Sequence, residues 1–131
     1  EMCIRDSIMV DHNYDLIDKN YNNLDTFFHF PFLYNDQEEV KTSLNTRDLK
    51  RFLKRLRKSY PKNHSHIDWK KMNVKIINDG ISLVNTMYSR VDKKNKNYFT
   101  GAAMYSLRKV DGKWKIFSIT PFKPYDYFDF E

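Results

Sequence analysis

The sequence predicts an α+β fold in which helices towards the N-terminus pack on one face of a curved, mainly antiparallel sheet. Two observations carry this. The first is a capped amphipathic helix, "TRDLKRFLKRLRKS" at 46–59, preceded by short helical and extended segments. The second is the C-terminal half, where four strand-like segments are separated by polar turns, two of them built on Asp-Gly. A chain of 131 residues, 40% hydrophobic and 16% aromatic, is one domain's worth; it can bury a single core and is too apolar to remain disordered.

The elements follow in order. "EMCIRDS" resembles the in-frame translation of a transposase adapter used in sequencing libraries, so residues 1–7 are set aside as an adapter scar. That scar contains the single cysteine, Cys3, and disulfide or thiolate chemistry leaves with it. The domain proper is expected over 8–120, with an aromatic and acidic tail over 121–131. Met9, Ile17, Tyr21 and Leu24 recur at helical intervals, Tyr14 lies three residues before Ile17, and Asp11 or Asn13 can open the helix. "LDTFFHF" reads as a second, short helix. Pro31 then puts His29 and Phe30 outside helical geometry, and "PFLYND" and "EEVKTSL" follow as two short strands.

In the helix over 46–59, Asn45 or Thr46 can cap, and Asp48 suits the first turn. Leu49, Phe52, Leu53, Leu56 and Tyr60 form one apolar stripe, while Lys50, Arg51, Lys54, Arg55, Arg57 and Lys58 cover the remainder. Pro61 ends it. "PKNHSH" reads as a loop, and strands are expected over 67–77, 81–91, 98–109 and 113–120. The turns "NDG" and "DG" (Asp111–Gly112) supply the positive φ values that tight hairpins use, and "DKKNKN" is a longer polar tip. Met72, Val74 and Ile76 alternate with Lys71, Asn73 and Lys75, giving one buried face and one wet one.

The order of elements and several local motifs resemble the nuclear transport factor 2-like superfamily, particularly its SnoaL-like members. The motifs are "LDTFFHFPF", "TRDLKRFLKRL", "ISLVNTMYSRV" and above all "GAAMYSLRKVDGKWKIFSI". The resemblance spans roughly residues 10–120, the length of a typical domain. It implies a cone-shaped fold, a strongly curved sheet wrapped around the helices, often with a pocket. The superfamily includes isomerases, dehydratases, cyclases and hydrolases as well as non-catalytic binding modules, so the fold does not transfer an activity. It further implies a general base facing a phenol, and Tyr14 falls near the phenol position of the ketosteroid isomerases. The matching acid is missing here: Asp36, the acid after "HF", falls towards the turn.

His29, between Phe28 and Phe30, is the candidate base or hydrogen-bonding group, with Tyr34 as partner, because imidazole titrates near neutrality. Its plain alternative is a half-buried histidine satisfied by a backbone carbonyl. Phe28, Phe32, Trp69, Asn85, Tyr88, Tyr105 and Trp114, with Arg90, are candidates for the pocket wall or for ordinary packing. Alternation places Asn85 and Met87 on one face and Tyr88 and Arg90 on the other; strand register decides which face looks inward. Gly101, Ala102 and Ala103 leave room for a ligand or a closely packed helix, packing being the plainer use. "HSHID" could present His64, His66 and Asp68 to a metal on one face of an extended chain, but it lacks a fourth ligand, and no metal or cofactor is expected.

The net charge of +6 invites a nucleic-acid reading. Heavy use of Lys, Asn, Ile, Tyr and Phe has a blander cause in AT-rich coding DNA, and the helix's cations are explained by a solvated face, so nucleic acid is not an expected partner. No segment is apolar enough to span a membrane, and the expected location is cytoplasmic. Two functions stay open: a small apolar organic molecule held in an aromatic-lined pocket, with acid–base chemistry by His29, Tyr34 and Tyr14, or a non-catalytic interaction module. The tail "PFKPYDYFDFE" either covers the sheet's outer face or serves a partner subunit, since the resemblance implies homodimers formed through that face.

Overall fold

A computed structural model gives the fold and describes Tyr21 and residues 24–130. Tyr14, Cys3 and most of the helix expected over 9–24 lie outside the described residues. A single helical turn, α1 (Leu24–Phe27), runs into strand β1 (Phe28–Asn35), which is followed by β2 (Val40–Ser43) and helix α2 (Thr46–Lys58). Four long strands complete the chain: β3 (His64–Asn78), β4 (Ile81–Asp92), β5 (Asn97–Val110) and β6 (Lys113–Phe122). They form one curled sheet in the order β2-β1-β6-β5-β4-β3, with β1 parallel to β6 and every other neighbouring pair antiparallel. The expected α+β class, with helices on a curled sheet, is what the chain adopts.

Three boundaries differ from the sequence reading, all through strand pairing; one is the end of β6, which runs through Pro121 and Phe122 of the expected tail because they pair with Ala103 and Ala102. "LDTFFHF" is helical only to Phe27, because Phe28 already pairs with Ile116 of β6. The β1–β6 ladder then slips between Phe28 and Leu33, around the cis Phe30–Pro31 peptide, where Pro31 has no N–H to offer. "HSH", expected as loop, is the start of β3, since His64 pairs with Asp92.

Helix α2 forms as its sequence dictates. Asn45 is the N-cap, its side chain accepting from the Asp48 N–H at 2.9 Å, and the Asp48 carboxylate accepts from the Leu44 N–H at 3.2 Å. Leu49, Phe52 and Leu53 are buried against Phe28 and Phe32 of β1 and against Val84, Tyr105, Leu107, Ile116 and Ile119 of the sheet.

Register settles the faces. Val84, Tyr105 and Ile119 pair across β4, β5 and β6 and belong to the core, so Thr86, Tyr88 and Arg90 on β4 share the inner face. Asn85 and Met87 look outward. Met72 and Val74 pack on the core as alternation implies, whereas Ile76, nearer the end of the β3–β4 hairpin, is 45% exposed. At Asp111–Gly112 both φ values are positive, as the hairpin signal requires. The Asp79–Gly80 turn closes without a positive φ; there the Asn78 side chain accepts from the Gly80 N–H at 2.8 Å.

The tail lies on the outer face of its own sheet. Asn85 Nδ2 donates to the Phe128 carbonyl at 2.5 Å, and the Phe130 N–H donates to Asn73 Oδ1 at 2.6 Å. Asn73 and Asn85 are cross-strand partners, so the tail is pinned across β3 and β4 at one point. Lys71 stands over the Tyr127 ring, 5.4 Å from its centroid.

Candidate functional site

The inner face and α2 enclose a cleft of about 50 Å³. Aromatic rings make half of its wall: Phe32 and Tyr34 from β1, Phe52 from α2, Tyr60 beyond it, Trp69 from β3, Tyr88 from β4 and Tyr105 from β5. Leu53, Leu56, Ile67, Ala103, Ile119 and Pro121 complete it with one cation, Arg90. Tyr34, Phe52 and Leu56 also line an open groove of about 580 Å³ on their far side, shared with Asp36, Glu39, Lys41, Arg55 and Ser59. Those three side chains are thus the partition between cleft and groove.

Several expected pocket residues meet here: Tyr34, Phe32, Trp69, Tyr88 and Tyr105. Others do not. His29 is half-buried beside Phe28 in β1 and does not reach the cleft wall, because Phe28 and Phe32 take the inward positions on that strand. Phe28 is sealed in the core, edge-on to Phe32 with centroids 5.2 Å apart. Trp114 packs against the core away from the cleft, under Lys109. Asn85 is fully buried, yet on the opposite face, where it holds the tail. The room beside Gly101 goes to neither ligand nor helix. A Cβ there would stand 2.8 Å from the Tyr88 hydroxyl and 2.7 Å from Phe99, so the glycine admits those rings.

The chemistry of the wall is one of donors. Burial pushes the Tyr34 phenol up to about 12, with help from the neighbouring Tyr88 and Tyr60, and against the pull of Arg90. Burial raises Tyr60 as well, and lifts Tyr105 well above the ordinary phenol value. These three hydroxyls remain protonated at neutral pH. Trp69 Nε1 and Arg90 Nε are buried and without a hydrogen-bond partner. The described lining includes no carboxylate and no imidazole, so it holds no general base.

Beside the cleft lies a cluster that the sequence reading dispersed. His64 is 2% exposed; its Nδ1 is 2.7 Å from the Tyr98 hydroxyl, and its ring packs tilted against Tyr60 with centroids 4.7 Å apart. Two slips in the ladders bring it there, one between His64 and His66 and one opposite Val91, which leaves Tyr98 as the extra residue of β5. The first slip also separates the "HSHID" side chains: His66 meets the Ser65 hydroxyl, and Asp68 pairs with Lys70 at 2.8 Å near the surface. The Arg90 guanidinium lies 4.4 Å from the Tyr60 centroid and 4.5 Å from that of Phe99, and Arg57 approaches Tyr60 from α2 at 5.6 Å. The sequence reading put Arg57 on the solvated face; the signal against that is its spacing, four residues after Leu53, which sets it beside the apolar stripe.

Comparison with known proteins places this geometry. None of the curated proteins matches the chain. Among solved structures, a protein of unknown function with a cystatin-like fold from Nostoc punctiforme is 12% identical, with a TM-score of 0.72 over 87% of this chain and 84% of that one. A provisionally assigned ketosteroid isomerase from Shewanella frigidimarina is 16% identical, with a TM-score of 0.70 over 88% of this chain and 91% of its own. A provisionally assigned scytalone dehydratase from Novosphingobium aromaticivorans is also 16% identical, at 0.68 over 99% of this chain and 87% of its own. At such identities the likeness is one of fold. The family model described as NTF2-like protein (DUF6841) matches residues 9–124, nearly the whole chain, and the chain belongs to that family within the nuclear transport factor 2-like proteins.

Proposed function

We propose that the protein binds a small, largely apolar organic molecule through the ring-lined cleft, and that the wall holds its ligand by donating hydrogen bonds. The observation that carries this is Trp69 Nε1, a buried indole N–H with no partner in a wall of aromatic rings and aliphatic side chains. Leaving such a donor unsatisfied costs on the order of 1–3 kcal/mol, which a ligand acceptor would recover. Tyr34 serves as a second donor, not as a base, since its phenol is raised to about 12. His29 and Tyr14 carry no step in this reading. Acid–base turnover would need a base that the described lining does not supply.

The cleft as it stands, about 50 Å³, is well below the roughly 300 Å³ at which ligand sites begin. A ring therefore enters where Tyr34, Phe52 and Leu56 part and join the cleft to the groove behind them. The same small volume favours the second reading, a non-catalytic interaction module with a nearly filled interior. Titration with 4-cresol decides between them, read on the Trp69 indole N–H resonance. Saturable movement of that signal, with Trp114 unmoved and Leu56→Trp abolishing the effect, supports the ligand site. No movement at millimolar 4-cresol leaves the interaction module.

A further inference from the structure

Two arginines and a histidine surround one tyrosine ring, and their inner nitrogens have nothing to bond. Arg57 Nε, Arg90 Nε and His64 Nε2 are all buried without a hydrogen-bond partner. Among the described residues the ion pairs are Lys41–Glu39 and Lys70–Asp68, and neither involves these arginines. Arg57 and Arg90 are half-buried, with Nε sealed from solvent, and neighbouring cations that are poorly screened repel, so an anion between them is favoured. Ring faces offset part of the desolvation cost: Arg90 lies between Tyr60 and Phe99, and Arg57 stands over Tyr60. A cation–π contact does not neutralise a second positive charge beside the first. The cluster also adjoins the cleft directly, since Arg90 and Tyr60 belong to both.

We propose that Arg57, Arg90 and His64 form an anion receptor that takes the carboxylate of a small organic acid. Guanidinium groups are planar, permanently charged and suited to carboxylates, and two of them border the same Tyr60 ring from different elements, α2 and β4. His64 supplies the third contact from β3. Its Nδ1 is engaged with Tyr98, which leaves Nε2 free to turn to the anion. The groups acting on that imidazole are Arg57, Arg90 and His66, all cationic or basic, together with the Tyr98 hydroxyl. An anion among them would relieve their repulsion and favour the protonated ring. The inference deepens the binding reading above and rests on it only for the apolar body of the acid, which would lie against Trp69 and Tyr88; the receptor for the head group stands on its own residues.

Three probes separate the two: benzoate, its neutral relative benzamide, and acetate, which has the head group without the ring. Binding is followed on the Trp69 indole resonance and on the His64 ring signals across pH. Benzoate is expected to bind about tenfold tighter than benzamide, the effect of one charge-assisted contact. Arg57→Gln and Arg90→Gln are each expected to remove that advantage, and Arg57→Gln, which lies outside the cleft wall, to leave benzamide affinity within about twofold. Acetate alone is expected to raise the His64 pKa by about one unit in the wild type and less in either variant. Equal affinities for benzoate and benzamide, with His64 unmoved by acetate, overturn the anion receptor and leave the cleft reading intact. A His64 response to acetate with no Trp69 response to either aromatic upholds the receptor and removes the cleft reading. Thermal melts of both variants show that they fold, and a His64 response that survives both substitutions would also overturn the assignment.

Discussion

His64 is a residue whose chemistry departs far from its free state. Burial, followed by the positive charges of Arg57 and Arg90 and by His66, holds its pKa down to about 4. The folded protein therefore keeps this ring neutral where the unfolded chain, with an ordinary histidine near 6.5, takes up a proton. Between those two values the unfolded state binds more protons, so stability rises with pH across the window and is lost as pH falls from about 6.5 towards 4. Urea midpoints measured at pH 7 and pH 5 are expected to show that loss, and His64→Asn is expected to flatten it. An undiminished loss in the variant would place its origin elsewhere. The sequence shows His64 plainly but assigns it to a loop; its burial depends on pairing with Asp92 and on the extra residue in β5 that turns Tyr98 towards it. His29 presents the converse case. Its phenylalanine neighbours are visible in the sequence, yet the inward positions of β1 go to Phe28 and Phe32 instead.

At the scale of elements, α2 is the one whose sequence is sufficient. Its stripe, its cap and its basic last turn all appear in the structure as the spacing dictates, because each is a local relation within four residues. Asn45→Ala removes the bond to the Asp48 N–H and is expected to lower stability by about 1 kcal/mol, with Asn45→Asp near neutral, checked by chemical denaturation. The hairpin strands are legible for a related reason: alternation and Asp-Gly turns are short-range signals, and β4, β5 and β6 each fall within a few residues of expectation. β1 is less so. Its start is fixed by a parallel partner some eighty residues later in the chain, Ile116, and no local pattern around Phe28 records that pairing.

The whole molecule is held from both sides of the sheet. Inside, α2 and β1 close the core; outside, the tail crosses β3 and β4, where its Phe128 carbonyl accepts from Asn85 Nδ2 and its Phe130 N–H donates to Asn73 Oδ1. Asn85 is fully buried beneath it, so the tail acts as part of the fold and not as a loose appendage. Removing residues 123–131 is expected to expose Asn85 and its neighbours, to cost about 1 kcal/mol for each lost hydrogen bond, and to raise binding of a hydrophobic dye. A truncated chain with an unchanged denaturation midpoint would show that the outer face needs no cover. Phe128 and Tyr125 remain 47% and 77% exposed on this side, so the cover itself presents rings to solvent.

The sequence by itself determined the α+β class, the amphipathic helix, the meander and the superfamily resemblance, because these rest on periodicity, capping and turn chemistry between near neighbours. It also supplied the rings that make the cleft. The tertiary structure alone decided which of them face it, since register and bulges set each side chain's face and a shift of one residue reverses it. That is why Asn85 left the pocket for the tail, why His29 stayed behind Phe28, and why Arg57, Arg90 and His64, distant in sequence, came to surround Tyr60.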